Sequence, residues 1–348
     1  MPQRLPATLV RLVDRSPSLS GAEMAAVLVP PRQFDTASFD SYRPDPDYPS
    51  QGSALDTVRE FAGSWKPAAR SGGFFSRAKN AKKSAPVTGI YLDGGFGVGK
   101  THLLAALWHA APGPKYFGTF IEYTALVGSM GYAAAAALLN GAKLIAIDEF
   151  ELDDPGDTMM MTRLLTELAA SGTRLAATSN TPPNALGEGR FAAADFLREI
   201  QSLSAQFETV RIDGLDYRRR DIEGHARVLD PGELQAAIDG VVDATGSATV
   251  SHDDFGALVA HLGSIHPSKF VKLIDGVDAI ALTDVVELHN QTDALRFVAF
   301  IDRVYDAQIP ILATGAPLDS VFAGDMMAGG YRKKYLRAVS RLIASTQY

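Results

Sequence analysis

Three short stretches carry residue types that do chemistry, at spacings that matter. The first is Gly94-Gly95-Phe96-Gly97-Val98-Gly99-Lys100-Thr101, which fits G-x-x-x-x-G-K-[ST]. Glycines let a loop turn its N–H groups inward around an anion without Cβ clashes. A lysine at this place reaches the β- and γ-phosphates of a nucleotide, and the hydroxyl after it binds Mg²⁺. The second stretch is Asp148-Glu149, which closes the apolar run at 144–147. An aspartate there holds the magnesium water shell, and a glutamate one residue on polarises an attacking water as general base. The third is Asn180, just past the run at 174–179. A polar side chain there can hydrogen-bond the same water. Removing Glu149 should trap bound ATP rather than prevent its binding.

These residues need a scaffold, and the flanking patterns supply one. Gly89-Ile90-Tyr91-Leu92 reads as a short buried strand before the glycine loop. Leu103, Leu104, Leu107 and Trp108 recur at helical spacing after it. The helix would add its positive N-terminal end to the anion site. In a parallel sheet, ligands gather at the carboxyl ends of strands, where 94–101, Asp148-Glu149 and Asn180 would all sit. The pattern further predicts a strand at 118–123, an Ala-rich helix to about Asn140-Gly141, and a helix at 157–170 stopped by Gly172. That last helix would turn Met160, Leu164, Leu165 and Leu168 to one face.

Upstream, residues 1–50 are Pro-rich and read as irregular. Ser53 reads as the N-cap of a helix carrying Leu55, Val58, Phe61 and Trp65 inward. Lys66, Arg70, Arg77, Lys79, Lys82 and Lys83 lie in a segment to Pro86 without an acidic residue, read as a flexible basic loop. Downstream, 230–348 holds no second glycine loop but echoes the core. The run at 279–284, a helix over 294–305 and the run at 309–315 parallel 144–180, with Val285 where a catalytic glutamate would stand. This part is read as structural, or as strands beside the core. The last stretch reads as an amphipathic helix with Tyr335, Val339 and Leu342 on one face and Lys334, Arg337 and Arg341 as a basic stripe.

The chain has 348 residues, enough for two or three domains or one large one. Its net charge of −7 makes the bulk surface no magnet for nucleic acid. It contains no cysteine, so disulfides, zinc thiolates and thiol catalysis are excluded. No apolar run suggests a membrane span or a secretory signal, so the expectation is a cytoplasmic protein without stable membrane insertion.

Taken together, GGFGVGKTHLL, LIAIDEFELDDPGDTMMMTRLL, LAATSNTPPNAL, FLREI and IDGLDYR resemble the ZapE-type ATPases. These are AAA+ P-loop proteins of bacterial cell division, with mitochondrial relatives that handle membrane-complex subunits. The similarity is clear over 89–218 and weaker to the C-terminus. It implies a three-layer αβα P-loop core with a parallel sheet, plus a C-terminal α/β extension. Residues 1–86 would form an N-terminal arm, short helix and basic loop; 87–228 the ATPase core; 229–348 the extension with its basic terminal helix.

By the same resemblance, ATP and Mg²⁺ are the cofactors. Gly94, Gly95, Phe96, Gly97, Val98, Gly99, Lys100, Thr101 and His102 would bind nucleotide, with Thr101 and Asp148 on the metal. Glu149 and Lys100 would act in catalysis, with Asn180 as the sensor beside the γ-phosphate. The stretch before Phe196-Leu197 departs from the family, so either Arg190 or Arg198 would be the arginine finger given to a neighbouring copy. A late arginine, Arg341 or Arg337, would sense the nucleotide. The implied assembly is an ATP-dependent ring or partial ring of copies, for which a hexamer is one candidate, at the division site. Its implied partners are cell-division ring proteins, including the tubulin-like one. Two rival readings use the same core: a nucleic-acid-associated helicase loader or initiator, and a chaperone-like ATPase for membrane-complex subunits.

Overall fold

The computed structural model describes residues 8–65, 88–152, 154–186, 197–214, 224–245 and 247–347. The basic loop at 66–86, Arg190 and Tyr217-Arg218-Arg219-Arg220 lie outside these residues. In chain order the first half carries β1 (Thr8–Val10), α1 (Gly21–Ala26), α2 (Pro49–Gly63), β2 (Gly89–Gly94), α3 (Lys100–Ala110), β3 (Lys115–Thr119), α4 (Phe120–Met130), α5 (Tyr132–Leu139), β4 (Leu144–Asp148), α6 (Pro155–Ala170) and β5 (Arg174–Ser179). The second half carries α7 (Leu197–Ser204), β6 (Phe207–Ile212), α8 (Leu234–Thr245), β7 (Thr249–Asp254), α9 (Phe255–Ser264), α10 (Phe270–Leu273), β8 (Ala279–Val285), α11 (Gln291–Asp306), β9 (Ile311–Gly315) and α12 (Arg332–Ser345).

The chain divides into two compact units. The first comprises Ser20–Pro30 and Phe34–Tyr217; the second comprises Met1–Leu19, Pro31–Gln33 and Arg218–Tyr348. The N-terminal arm is therefore shared between them.

The first unit is a parallel sheet in the order β3-β4-β5-β2-β6, covered on both faces. Strand β2 is buried along its whole length. Alternate residues point to opposite faces. Ile90 and Leu92 join Leu55, Val58, Leu103, Leu104 and Leu107 of α2 and α3 on one face. On the other, Tyr91 meets Phe150 and Phe207 edge to face, with Phe120 of α4 against Phe150. This is the α/β class, with the three layers of a P-loop core.

Three local expectations change. The strand expected at 118–123 ends at Thr119, and helix α4 begins at Phe120. Thr119-Phe-Ile-Glu122 is a capping box: Glu122 N–H donates to Thr119 Oγ1 at 3.4 Å and Glu122 Oε2 accepts the Thr119 N–H at 2.7 Å. Helix α2 starts at Pro49, not after Ser53, because proline suits the first helical position. Ser53 lies inside it and donates to the Pro49 carbonyl at 3.2 Å. On α6, Met161 rather than Met160 is the buried methionine, and Asp154 caps the helix by accepting from Asp157 N–H at 3.0 Å.

The second unit has its own parallel sheet, in the order β1-β7-β8-β9, so the C-terminal strands do not extend the first sheet. Its first strand, β1, comes from the arm read as irregular and pairs with β7 through Thr8↔Thr249 and Val10↔Ser251. The buried Asp253 carboxylate anchors the turn after it, accepting from Leu12 N–H at 3.0 Å and Val13 N–H at 3.2 Å.

The echo between the two halves is confirmed in the backbone, shifted by one residue from the alignment read in the sequence. Glu149 has φ +54° and Asp284 has φ +55°. Their N–H groups donate to Thr178 Oγ1 at 3.1 Å and Thr314 Oγ1 at 3.4 Å. Asp284, not Val285, thus stands at the place of Glu149, and Thr283 at that of Asp148. Helices α6 and α11 each follow with 16 residues.

Candidate functional site

The glycine loop sits where its sequence demands. Strand β2 ends at Gly94, where a Cβ would lie 2.2 Å from the Ile212 carbonyl oxygen of β6, so only glycine fits. Helix α3 begins at Lys100 with Gly99 as its N-cap, at φ +86° in the left-handed region that glycine enters freely. A Cβ there would also lie 2.4 Å from Tyr42 Cε2.

Four of the expected side chains meet at the carboxyl ends of β2, β4 and β5. Lys100 Nζ donates to the Gly94 carbonyl at 2.9 Å, to the Gly95 carbonyl, and to Asn180 Oδ1 at 2.8 Å. Thr101 Oγ1 lies 3.1 Å from each oxygen of the Asp148 carboxylate. Glu149 follows Asp148 directly, in its left-handed conformation. Tyr91 fixes the loop after β5 by donating to the Thr181 carbonyl at 2.7 Å. Burial pushes the Tyr91 hydroxyl well above its ordinary value, so it stays a donor.

His102 is turned away from these groups. Its Nε2 lies 3.1 Å from Ser41 Oγ and 3.0 Å from the Ser38 carbonyl, and its ring packs on Tyr42. It helps line a cavity of about 150 Å³ beside the loop, with Ser41, Tyr42, Arg43, Gln51 and residues 97–99. Arg198 is exposed on α7 and is not among the side chains that meet at the loop. Arg341 belongs to the second unit. There the expected basic stripe is partly a buried ion pair. Arg337 NH2 lies 2.6 Å from Asp302 Oδ2, and the Arg341 guanidinium pairs with the same carboxylate.

The sequence reading passed over three residues that shape the site. Tyr42 covers the loop and donates to the Val98 carbonyl at 2.9 Å. Gln51 ties this segment down: its amide donates to the Asp213 carbonyl at 2.9 Å and accepts from Asp45 N–H at 2.8 Å. Thr178 bonds both Asp148 and Glu149. An aromatic residue in a Pro-rich stretch, seven residues before a proline-started helix, was the available signal for Tyr42; Gln51 had only its place in the first turn of that helix, and Thr178 its place before Asn180.

The donors present suit a nucleotide and Mg²⁺. A hydroxyl and a carboxylate are hard oxygen ligands, and Mg²⁺ commonly takes one or two from protein and the rest from phosphate and water. Among the described residues no group of three or more His, Cys, Asp or Glu could hold a metal by itself. No helix among them is long and apolar enough to cross a membrane.

A glycine loop between a parallel strand and a helix, with a lysine, a hydroxyl and an acidic strand end converging on it, defines a P-loop nucleotide-binding protein of the AAA+ type. The profile of the AFG1-like ATPases matches residues 20–248 and 244–348, and the chain belongs to that family. It is 26% identical to the cell division protein ZapE of Escherichia coli K12, over 87% of this chain and 91% of that one. It is 22% identical to lactation elevated protein 1 homolog B of Danio rerio, over 72% of this chain and 60% of that one. Among solved structures, AMPPCP-bound DnaA from Aquifex aeolicus superposes with a TM-score of 0.39 at 12% identity, covering 90% of this chain and 88% of that one.

Proposed function

We propose that this AAA+ ATPase hydrolyses ATP with Mg²⁺ and couples its nucleotide state to assembly of copies and to remodelling of cell-division proteins, in the manner its ZapE-like sequence suggests. The observation that carries the reading is the meeting of Lys100, Thr101, Asp148 and Asn180 at one loop, with Thr101 Oγ1 3.1 Å from both Asp148 oxygens and Lys100 Nζ 2.8 Å from Asn180 Oδ1.

In this reading the loop N–H groups and the start of α3 receive the phosphates. Lys100 exchanges its contacts with Asn180 and the loop carbonyls for phosphate oxygens. Thr101 and Asp148 would hold Mg²⁺, which would supply positive charge against the phosphates. Glu149 accepts a proton from the attacking water, which Asn180 orients. The cavity under Tyr42 and His102 receives the base. Arg190 or Arg198 of a neighbouring copy supplies the finger, a contribution of about 10³–10⁵ in rate. A cytoplasmic protein recruited to the division site fits this task.

The test is a pull-down with Glu149→Gln, which keeps size and removes the base. Recovery of division-ring proteins with Mg·ATP but not with ADP supports the reading. Recovery of nucleic acid or a helicase instead sinks the division assignment and leaves only the ATPase. Undiminished ATP turnover by the variant sinks the role of Glu149.

A further inference from the structure

We infer that Thr178 is the positioning residue of this site: one hydroxyl sets both the carboxylate of Asp148 and the direction of Glu149. The inference rests on the ATPase reading above. Thr178 is 1% exposed and is the penultimate residue of β5. Its Oγ1 donates to Asp148 Oδ1 and accepts the Glu149 N–H at 3.1 Å. Its carbonyl accepts the Phe150 N–H at 2.7 Å. A hydroxyl has one proton to give and lone pairs to receive, and here both functions are used.

Each bond answers a specific need. Ladder pairing between β4 and β5 stops at Ile147↔Ala177, so the backbone beyond it needs other partners. Glu149 then takes a left-handed φ of +54°, which for a non-glycine residue persists only when its surroundings hold it. Acceptance of its N–H by Thr178 is one such hold. The proton of the same hydroxyl goes to Asp148 Oδ1, while Thr101 Oγ1 approaches both carboxylate oxygens. The carboxylate is therefore held by two threonines. One is itself a candidate metal ligand; the other, Thr178, is buried and bonds the ligand rather than the metal. Partners of this second kind typically change metal affinity or activity about 10–100-fold when removed.

The second unit provides an internal control. Thr314 accepts the Asp284 N–H at 3.4 Å, and Asp284 has the same left-handed φ. The residue before Asp284 is Thr283, not an aspartate. The backbone half of the device is thus repeated without the carboxylate half. Loss of the hydroxyl at 314 removes support from a like kink that bears no metal ligand; loss at 178 removes it together with the bond to the acid.

The experiment compares Thr178→Val, Thr178→Ser and Thr314→Val in the full chain. Binding of Mn²⁺ in the presence of ADP is followed by electron paramagnetic resonance, and binding of a fluorescent ADP without divalent ion by anisotropy. ATP turnover is measured against Mg²⁺ concentration. Thr178→Val should weaken Mn²⁺ binding and lower turnover by about 10–100-fold, while metal-free ADP binding changes less than about 2-fold. Thr178→Ser, which keeps the hydroxyl, should restore both to within about 3-fold, and Thr314→Val should leave both unchanged within about 2-fold. If Thr178→Val does not fold, Thr178→Cys takes its place, because a thiol keeps the size of serine and is a weak donor. Normal Mn²⁺ binding by the valine or cysteine variant overturns the inference, as does a serine variant as impaired as valine. An equal loss in Thr314→Val overturns it too, since loss of a buried hydroxyl anywhere in the chain would then produce the effect. A wild-type chain that turns over no ATP defeats the functional reading instead, and the Mn²⁺ titration still decides the place of Thr178.

Discussion

Asp302→Asn removes one charge from the second unit and leaves two facing it. Asp302, on α11, is 10% exposed, and Arg337 and Arg341 of α12 reach its carboxylate with side chains 6% and 11% exposed. Burial alone would push the Asp302 carboxyl up, but the charges of Arg337 and Arg341 outweigh it and hold the group down at about 2, from 3.8. That displacement corresponds to about 2.5 kcal/mol favouring the charged form in the folded chain. Breaking a buried pair by removing one member typically costs about 3–5 kcal/mol; Arg341 keeps a longer contact with Asp306, at 4.0 Å, which puts the expectation at the low end of that range. The substitution should therefore destabilise the second unit by about 3 kcal/mol, a fall of roughly 6–12 °C in the melting midpoint.

Far-UV circular dichroism follows the melt, and hydrogen exchange in α11 and α12 locates it. Both tryptophans, Trp65 and Trp108, lie in the first unit, so their fluorescence serves as a separate reporter. The pH dependence has a definite sign. The folded value lies below the unfolded one, so the stabilisation is present above about pH 4 and is lost as pH falls toward 2. The gap between wild type and variant should close over the same interval. A variant that melts within 2 °C of wild type at pH 7, with unchanged exchange in α12, refutes the argument that this ion pair fixes the terminal helix.

Three further outcomes are expected. Gly99→Ala forces a side chain into φ +86° and within 2.4 Å of Tyr42 Cε2, so nucleotide affinity should fall at least about 10-fold in equilibrium binding, and adding Tyr42→Ala should recover only the steric part. Asn180→Asp places a negative charge 2.8 Å from Lys100, where it competes with phosphate; affinity for a non-hydrolysable ATP analogue should drop about 10-fold while ADP binding drops less, as calorimetry would show. Glu122→Ala opens the capping box of α4 and should lower stability by about 0.5–2 kcal/mol in urea titration without changing the nucleotide site.

What could be read from the sequence was what is local. The glycine loop, the acidic pair at 148–149 and Asn180 announce themselves because strand, turn and chemistry are contiguous there, and Lys100, Thr101, Asp148 and Asn180 do meet in space. The strand-to-helix switch at Thr119 was missed because its residues suit a strand; the capping box prevails over that preference. Strand β1 was missed because its partner, β7, lies across the length of the chain and no local periodicity reports it. Arg337 and Arg341 looked like a solvated stripe because Asp302 is on another helix. Tyr42 lies in a proline-rich stretch outside any regular element, ordered by its bond to the Val98 carbonyl, and Gln51, in the first turn of α2, ties that stretch down through Asp45 and Asp213, partners that no local pattern reports.

The outer strand of the first sheet has a bearing on how copies of the chain can join. Strand β3 lies at the end of the sheet, where unpaired N–H and C=O groups invite another chain to add a strand. The Phe117 N–H is already taken by the Leu28 carbonyl at 2.9 Å. Leu28 is seated so closely on Gly118 that a Cβ there would lie 2.6 Å from its Cδ2, and Pro30 and Pro31 follow it in sequence. The chain thus blunts its own edge with a non-strand segment. Addition of a strand at this edge would first have to displace residue 28, so the β3 side of the sheet is set against open-ended growth.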